Sequence, residues 1–193
     1  MHTEGQAEAG TSGSPLTRAD VEQLLSQVES SASLDLDGKN LQAINLSYLD
    51  LRGASLRGAD LQGANLRGTN LSETNLQGAN LSHADLDGAD LSRAHLSDNG
   101  TNRVNFAHAK LSYATLRGLD LRDFDLTNLD LRHADLTGTD LRHARLEGSY
   151  LQGADLSEAQ LHGPELRGAI LYSSEHSLGW SRRVGQNAPK AIQ

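Results

Sequence analysis

The chain has 193 residues, with 25 acidic against 17 basic side chains, no cysteine, and only two Phe, one Trp and four Tyr. Its net charge of −8 disfavours non-specific attraction to nucleic acid or anionic membrane, and the lack of Cys removes disulfides, thiolate zinc sites and cysteine nucleophiles. No stretch reaches the ~18 consecutive apolar residues of a membrane helix, and the polar N-terminus lacks the basic-then-apolar order of a signal peptide; a soluble, cytoplasmic chain is expected.

Residues 1–14, rich in Gly, Ser, Thr and Glu, read as a disordered segment. Residues 15–33 read as a short helix and linker. Thr17 with Asp20 resembles a capping box, Leu16 and Val21 sit at hydrophobic-staple spacing, and Val21, Leu24, Leu25 and Val28 form one apolar stripe. From Leu36 to Leu171 one period dominates: every fifth residue is Leu in 26 of 28 positions, the exceptions being Thr101 and Phe106. With each of these positions called a centre, Ala precedes it by two in 14 units, Asp or Asn precedes it by one in 18, and Gly follows by two in 13.

A five-residue period fits neither regular element. On a helix five residues advance ~500°, which smears the leucines around the axis. On a continuous strand an odd period flips successive leucines to opposite sides. The pattern requires a bend in every unit, with Ala and Leu inward on a short extended segment, the Asp or Asn between them outward, and Gly at the bend. A chain that bends the same way every five residues winds into a solenoid with leucine inside.

Runs such as Ala59-Asp60-Leu61-Gln62-Gly63 and Ala79-Asn80-Leu81-Ser82-His83 resemble the pentapeptide-repeat family, and the resemblance covers residues 34–173. It implies an all-β fold, a right-handed quadrilateral β-helix with four pentapeptides per coil. The 28 units then make about seven coils in which residues 20 apart stack, a rod ~34 Å long at the ~4.8 Å strand spacing. A β-solenoid exposes a sheet edge and apolar core at each end, so the helix is expected to lie over coil one as a cap. The tail, residues 174–193, carries Leu178, Trp180, Arg182 and Arg183. Trp180 could cover the last coil, or that end could stay open and join a second copy; a monomer or an end-to-end dimer through the C-terminal coil follows.

The inward position two before the centre holds bulky Leu34, Ile44 and Leu49 in coil one, and Leu119, Phe124 and Leu129 in coil five. Coil four instead places Asn99 and Thr101 where Ala and Leu belong. Two readings stay open: Val104, Phe106 and Phe124 fill the space these residues leave, or residues 98–102 bulge out as a partner-contacting loop within 97–105.

No catalytic, cofactor or metal site is expected. Gly-rich phosphate loops, Gly-x-Ser-x-Gly and His-Glu-x-x-His are missing. Counting in twenties stacks His83, Arg103, Asp123 and His143, with His162 diagonal to His143, but Asp123, His143 and His162 on a flat, wet face lack a pocket for a metal. Asp120 stacks on Asp140 and Asp135 on Asp155, with Arg117, Arg122, Arg132 and Arg142 placed to offset them. More informative is a cluster of Tyr113, Tyr150, Ile170 and Tyr172, pointing outward from one face toward the C-terminal end, with Arg132, His133 and Gln152 nearby and Tyr48 elsewhere. Tyrosine combines apolar area with a polar tip and is favoured at protein interfaces. The expected function is a non-enzymatic interaction rod or scaffold with a protein partner, no direct nucleic-acid binding and no membrane. The alternative comes from the resemblance: some pentapeptide-repeat proteins mimic duplex DNA, bind type II topoisomerases and protect them from quinolones. Those members carry loops projecting from their coils, whereas this register shows no insertion. Residues 34–173 carry 19 acids and 13 bases, poor mimicry beside duplex DNA with one charge per ~1.7 Å.

Overall fold

The computed structural model of the protein describes residues 14–98 and 100–171. The N-terminal segment before them, the tail with Trp180, and Tyr172 lie outside the described residues. Asp35 pairs in parallel with Ser55, Asn40 with Asp60, Asn45 with Asn65 and Asp50 with Asn70. Residue n therefore lies beside n+20, and four five-residue units close one turn of a four-sided solenoid. Each pairing is an isolated bridge rather than a long strand, because a residue of positive φ, such as Gly63 at +67°, turns the chain within every unit.

The backbone bonds of one unit explain its consensus. Around Leu61, the Leu61 and Gly63 amides donate to Asn80 and Ser82 in the next coil, the Ala64 amide donates back to Leu61, and the Asn65 amide donates to Ile44 in the preceding coil. Four of five amides are thus satisfied by backbone. The fifth, of Gln62, donates to the Asp60 carboxylate at 3.2 Å. The same bond recurs from Arg67 to Asn65 and from Thr137 to Asp135. Asp or Asn before the centre therefore supplies the acceptor that the ladder lacks.

The centres from Leu36 to Leu91 are fully buried, with Ala beside them in one continuous core. Where Thr replaces Ala its hydroxyl is spent on a carbonyl, as Thr69 Oγ1 donates to Leu46 at 2.9 Å and Thr139 Oγ1 to Leu136 at 2.8 Å, so no buried donor is orphaned there. Helix α1, Arg18–Ser26, opens with a reciprocal Thr17–Asp20 capping box. Its Val21 is fully buried in the solenoid core, the Leu16 amide donates to Asn40 at 2.9 Å, and Arg18 reaches the Asn45 and Ser47 carbonyls.

The count of twenty fails at one place. Asn75 pairs with His95, but Asn80 pairs with Asn105, Asp85 with Lys110 and Asp90 with Thr115. Spacing returns to twenty with Lys110 and Asp130. One turn thus holds 25 residues, correcting the uninterrupted winding expected from the sequence. The excess is a hairpin outside the wall, in which the Asp98 and Thr101 amides and carbonyls exchange bonds at 2.8 and 2.7 Å. At its base Val104 N–H donates to Leu96 at 2.8 Å, the bond that a residue three after the centre makes in every regular unit, and Gly78 N–H donates to Asn102 at 2.6 Å. Val104 therefore occupies the place that residue 99 would have taken. Of the two open readings the bulge is the structure's; Thr101 leaves the wall, so Phe106 and Phe124, with ring centroids 6.3 Å apart, do not compensate for it.

The last coil is irregular at a 3-10 turn, Gly163–Leu166. Pro164 offers no N–H. The buried Glu165 carboxylate accepts from His143 N–H at 3.0 Å and His162 N–H at 2.8 Å. Burial pushes its carboxyl up, but these amides and its own outweigh that and hold it below the ordinary glutamate value.

Candidate functional site

The hairpin shifts every later unit by one face relative to a count of twenty. The face running Asn45, Asn65, Asp85, Lys110, Asp130, Tyr150, Ile170 is continuous. It keeps Tyr113, Tyr150 and Ile170 together, and it brings in Tyr48, which the sequence count puts elsewhere. Every tyrosine among the described residues lies here, and the strip runs along the rod instead of clustering at its C-terminal end. Tyr48 is 76% exposed, Tyr113 65%, Tyr150 44% and Ile170 37%. Tyr172 lies outside the described residues.

Tyr48 and Tyr113 stand at the bend position, with φ of +61° and +59°. The left-handed region costs an L-residue ~1–2 kcal/mol, and a bulky side chain there is an outlier. Gly occupies this corner at 68, 88 and 153. Non-glycine residues such as His83, Arg93, His133 and Glu158 share this conformation at other bends, so the repeat tolerates the cost, and at Tyr48 and Tyr113 it places a large ring at the outer corner of the face.

The rings form a partial ladder along this corner. Tyr48 lies over Gly68, where an added Cβ would sit 2.6 Å from the Tyr48 ring. Tyr113 stacks on His133, with centroids 4.8 Å apart and planes 11° from parallel, and His133 covers Gly153. Above Gly88 an added Cβ would meet nothing within 4 Å. The result is a groove of ≈ 550 Å³ between Tyr48 and Tyr113, floored by Gly68 and Gly88 and flanked by Arg67, Asp87 and Arg132.

Charge on this face cancels locally. Arg67 binds Asp87 at 2.9 Å and Asp85 at 3.5 Å, Lys110 lies 3.5 Å from Asp85, and Arg132 grips Asp130 at 2.5 Å. The Arg132 hydrogen bond holds the Asp130 carboxyl below its ordinary value. Three cations thus face three carboxylates. The next face, 49–53 through 154–158, carries six carboxylates from Asp50 to Glu158 against Arg52, Arg93 and Arg117, a net of −3. Asp120 and Asp140 do stack, as expected, with Arg122 bonded to Asp120 at 2.5 Å and Arg142 to Asp140 at 2.6 Å. Asp135 likewise stacks beneath Asp155.

The expected histidine column is corrected too. His83 stacks on His108, with centroids 4.8 Å apart, and leaves the line of Arg103, Asp123 and His143. Arg103 there sits 3.3 Å from Asp123. Among the described residues no three His, Cys, Asp or Glu side chains converge to hold a metal ion, and no helix is long and apolar enough to cross a membrane.

A four-sided solenoid of five-residue units, leucine inside and Asp or Asn serving each bend, defines the class of protein. Its family model, Pentapeptide repeats, matches in eight copies over residues 35–72, 59–98, 105–142 and 139–174, and skips 99–104, the heart of the hairpin. The chain belongs to the pentapeptide-repeat family. No curated protein matches it. Among solved structures it is similar to HetL, a pentapeptide repeat protein involved in heterocyst differentiation regulation from the cyanobacterium Nostoc sp. (36% identity, TM-score 0.48, 71% of this chain and 65% of that one). It is also similar to QnrB1, a plasmid-mediated fluoroquinolone resistance protein (19%, 0.43, 71% and 65%), and to Rfr23 from the cyanobacterium Cyanothece (21%, 0.41, 78% and 99%). The matched region spans slightly less than two thirds of HetL and of QnrB1.

Proposed function

We propose that this protein is a non-enzymatic, cytoplasmic interaction rod that binds another protein through its tyrosine face. One observation carries the reading: Tyr48, Tyr113 and Tyr150 lie exposed on a single face whose charges cancel. Aromatic area with paired charge is the make-up of a protein interface, where charged residues are depleted and tyrosine enriched. Helix α1 caps the first coil, and the rod is a monomer or an end-to-end dimer through the last. The test is affinity capture from the native host, comparing wild type with Tyr113→Ala/Tyr150→Ala. A protein retained by the first and lost by the second, at unchanged melting temperature, is expected. Equal retention refutes the tyrosine face.

A second reading, DNA-mimic binding of a type II topoisomerase, gains one observation. A projecting loop, which an unbroken five-residue register excludes, exists at the Asp98–Thr101 hairpin. Charge still weighs against it, because the most acidic face carries only a net −3, whereas a duplex presents ~15–20 phosphates over the same length. DNA supercoiling by purified gyrase decides: inhibition, or protection from a quinolone, supports mimicry, and no effect at micromolar protein ends it.

A further inference from the structure

The tyrosine face carries an interrupted ladder of rings, and the interruption has a definite height. The amides of Tyr48, Gly68, Gly88, Tyr113 and His133 donate to Arg67, Asp87, Ser112, Arg132 and Gln152 of the following coils, so residues 48, 68, 88, 113, 133 and 153 form one corner column. A side chain in this column covers the bend of the next coil. The Tyr48 ring lies 2.6 Å from where a Cβ on Gly68 would stand, and the His133 ring lies against Gly153. Tyr113 accordingly stacks on His133 at 4.8 Å. Gly68 and Gly88 supply no side chain, so the column stays open over Gly88, where a Cβ would meet nothing within 4 Å, and over the Tyr113 bend. From the Tyr48 ring to the Tyr113 ring is three coil steps, ~14 Å, which leaves the height of two rungs between them.

We propose that this gap receives two neighbouring aromatic side chains of the protein partner, which complete the stack from Tyr48 to Tyr113. The inference rests on the tyrosine face being the binding face and names what that face holds. Spacing selects rings. Tyr113 with His133, and His83 with His108 at another corner, already stack at the coil period with centroids 4.8 Å apart, inside the range of favourable aromatic pairs. A cross-strand pair on a β-hairpin, with Cβ atoms ~5 Å apart, presents two rings at this same separation. Charge selects against ions. Arg67 is bonded to Asp87 and Arg132 to Asp130, so a guanidinium or carboxylate entering the groove would lose water without gaining an unengaged counter-charge. A neutral ring loses little water and gains tyrosine on its face and glycine backbone at its edge.

N-acetyl-tryptophanamide serves as the probe, read by amide chemical shifts of the 15N-labelled full-length protein. Saturable shifts at millimolar probe are expected at Gly68, Gly88 and Ser112, with none of that size from N-acetyl-leucinamide or N-acetyl-argininamide. Gly68→His/Gly88→His builds both rungs into the chain and abolishes the shifts. The bend accepts histidine, which stands at φ of +59° to +64° in His83, His108, His133 and His143. Gly58→His/Gly63→His, at equally open bends of other faces, leaves binding unchanged. Tyr48→Ala removes one wall of the gap and weakens binding severalfold, which tests the stack even where the double variant fails to fold. The proposal is overturned if nothing saturates up to the solubility of the probe, if the leucine or arginine amide matches it, or if the filled variant binds as wild type does. Adenosine binding more tightly than the probe assigns the gap to nucleobases and overturns side chains of a protein. The capture experiment separates the two readings. A partner lost by Tyr113→Ala/Tyr150→Ala but retained by Gly68→His/Gly88→His overturns the groove alone, whereas retention by both refutes the tyrosine face and the groove with it.

Discussion

Removing residues 97–101 tests the winding most directly. If the hairpin is one whole unit expelled from the wall, its excision joins Leu96 to Asn102 and keeps every wall contact. The Val104–Leu96 and Gly78–Asn102 bonds survive, and Leu96 and Val104 remain about 95% buried. What disappears is the pair of Asp98–Thr101 backbone bonds, the Thr101 Oγ1 bond to Asp98 and the Gln77 bond to Ser97. These lie at the surface, where each is worth ~1 kcal/mol or less net, and the loss is offset by ~1 kcal/mol of loop-closure entropy no longer spent. The net change is about 1 kcal/mol or less of either sign. Deleting 97–102 takes one residue too many. Asn102 leaves the wall, and Val104 and Phe106 cannot both return to the core, a cost of ~3 kcal/mol or more. Urea unfolding followed by circular dichroism separates the two. Equal, large destabilisation by both deletions would show that 97–101 is part of the wall and refute the register.

Leu86→Ala opens a cavity at a fully buried centre and should cost ~3 kcal/mol by chemical denaturation; Leu86→Asp, which leaves a carboxylate without a partner in that core, should abolish cooperative melting of the neighbouring coils. A near-native curve for the second contradicts the ladder. Glu165→Gln keeps one acceptor for two amides and should lose ~2 kcal/mol at neutral pH. The Glu165 carboxyl is held below its unfolded value, so its contribution is present above ~pH 4.3 and fades as pH falls through the lower folded value. Stability of wild type and variant should therefore converge on acidification, and a constant gap down to pH 3 would show that the carboxylate is not the stabilising form.

The leucine ladder and the Thr17–Asp20 box were legible because both rest on local rules, side-chain period and helix-end chemistry. Even the Asp or Asn before each centre was visible, though its purpose as acceptor for the bend amide emerges only when all five amides of a unit are placed. The hairpin escaped because its length equals the period: an excursion of five residues leaves every later leucine in phase. A signal was present all the same. Asn99 and Thr101 forfeited both inward positions of one unit, and Asn-Gly is the strongest short hairpin signature. Tyr48 and His83 were misplaced for that reason alone. Glu165 was unreadable, since nothing local says that the His143 amide loses its carbonyl partner; Pro164 in an alanine slot was the only hint.

The expelled unit also works as an index. Wound in, it would rotate the C-terminal part of the rod a quarter turn against the N-terminal part, and Tyr48 would look out from a different side than Tyr113. Nothing in the leucine core would register the change, because the units are interchangeable there. Lineages that gain or lose one pentapeptide could thus exchange the neighbours of every exposed residue beyond that point without touching a single buried one, so surface alignments between such chains must be counted in coils and not in residues.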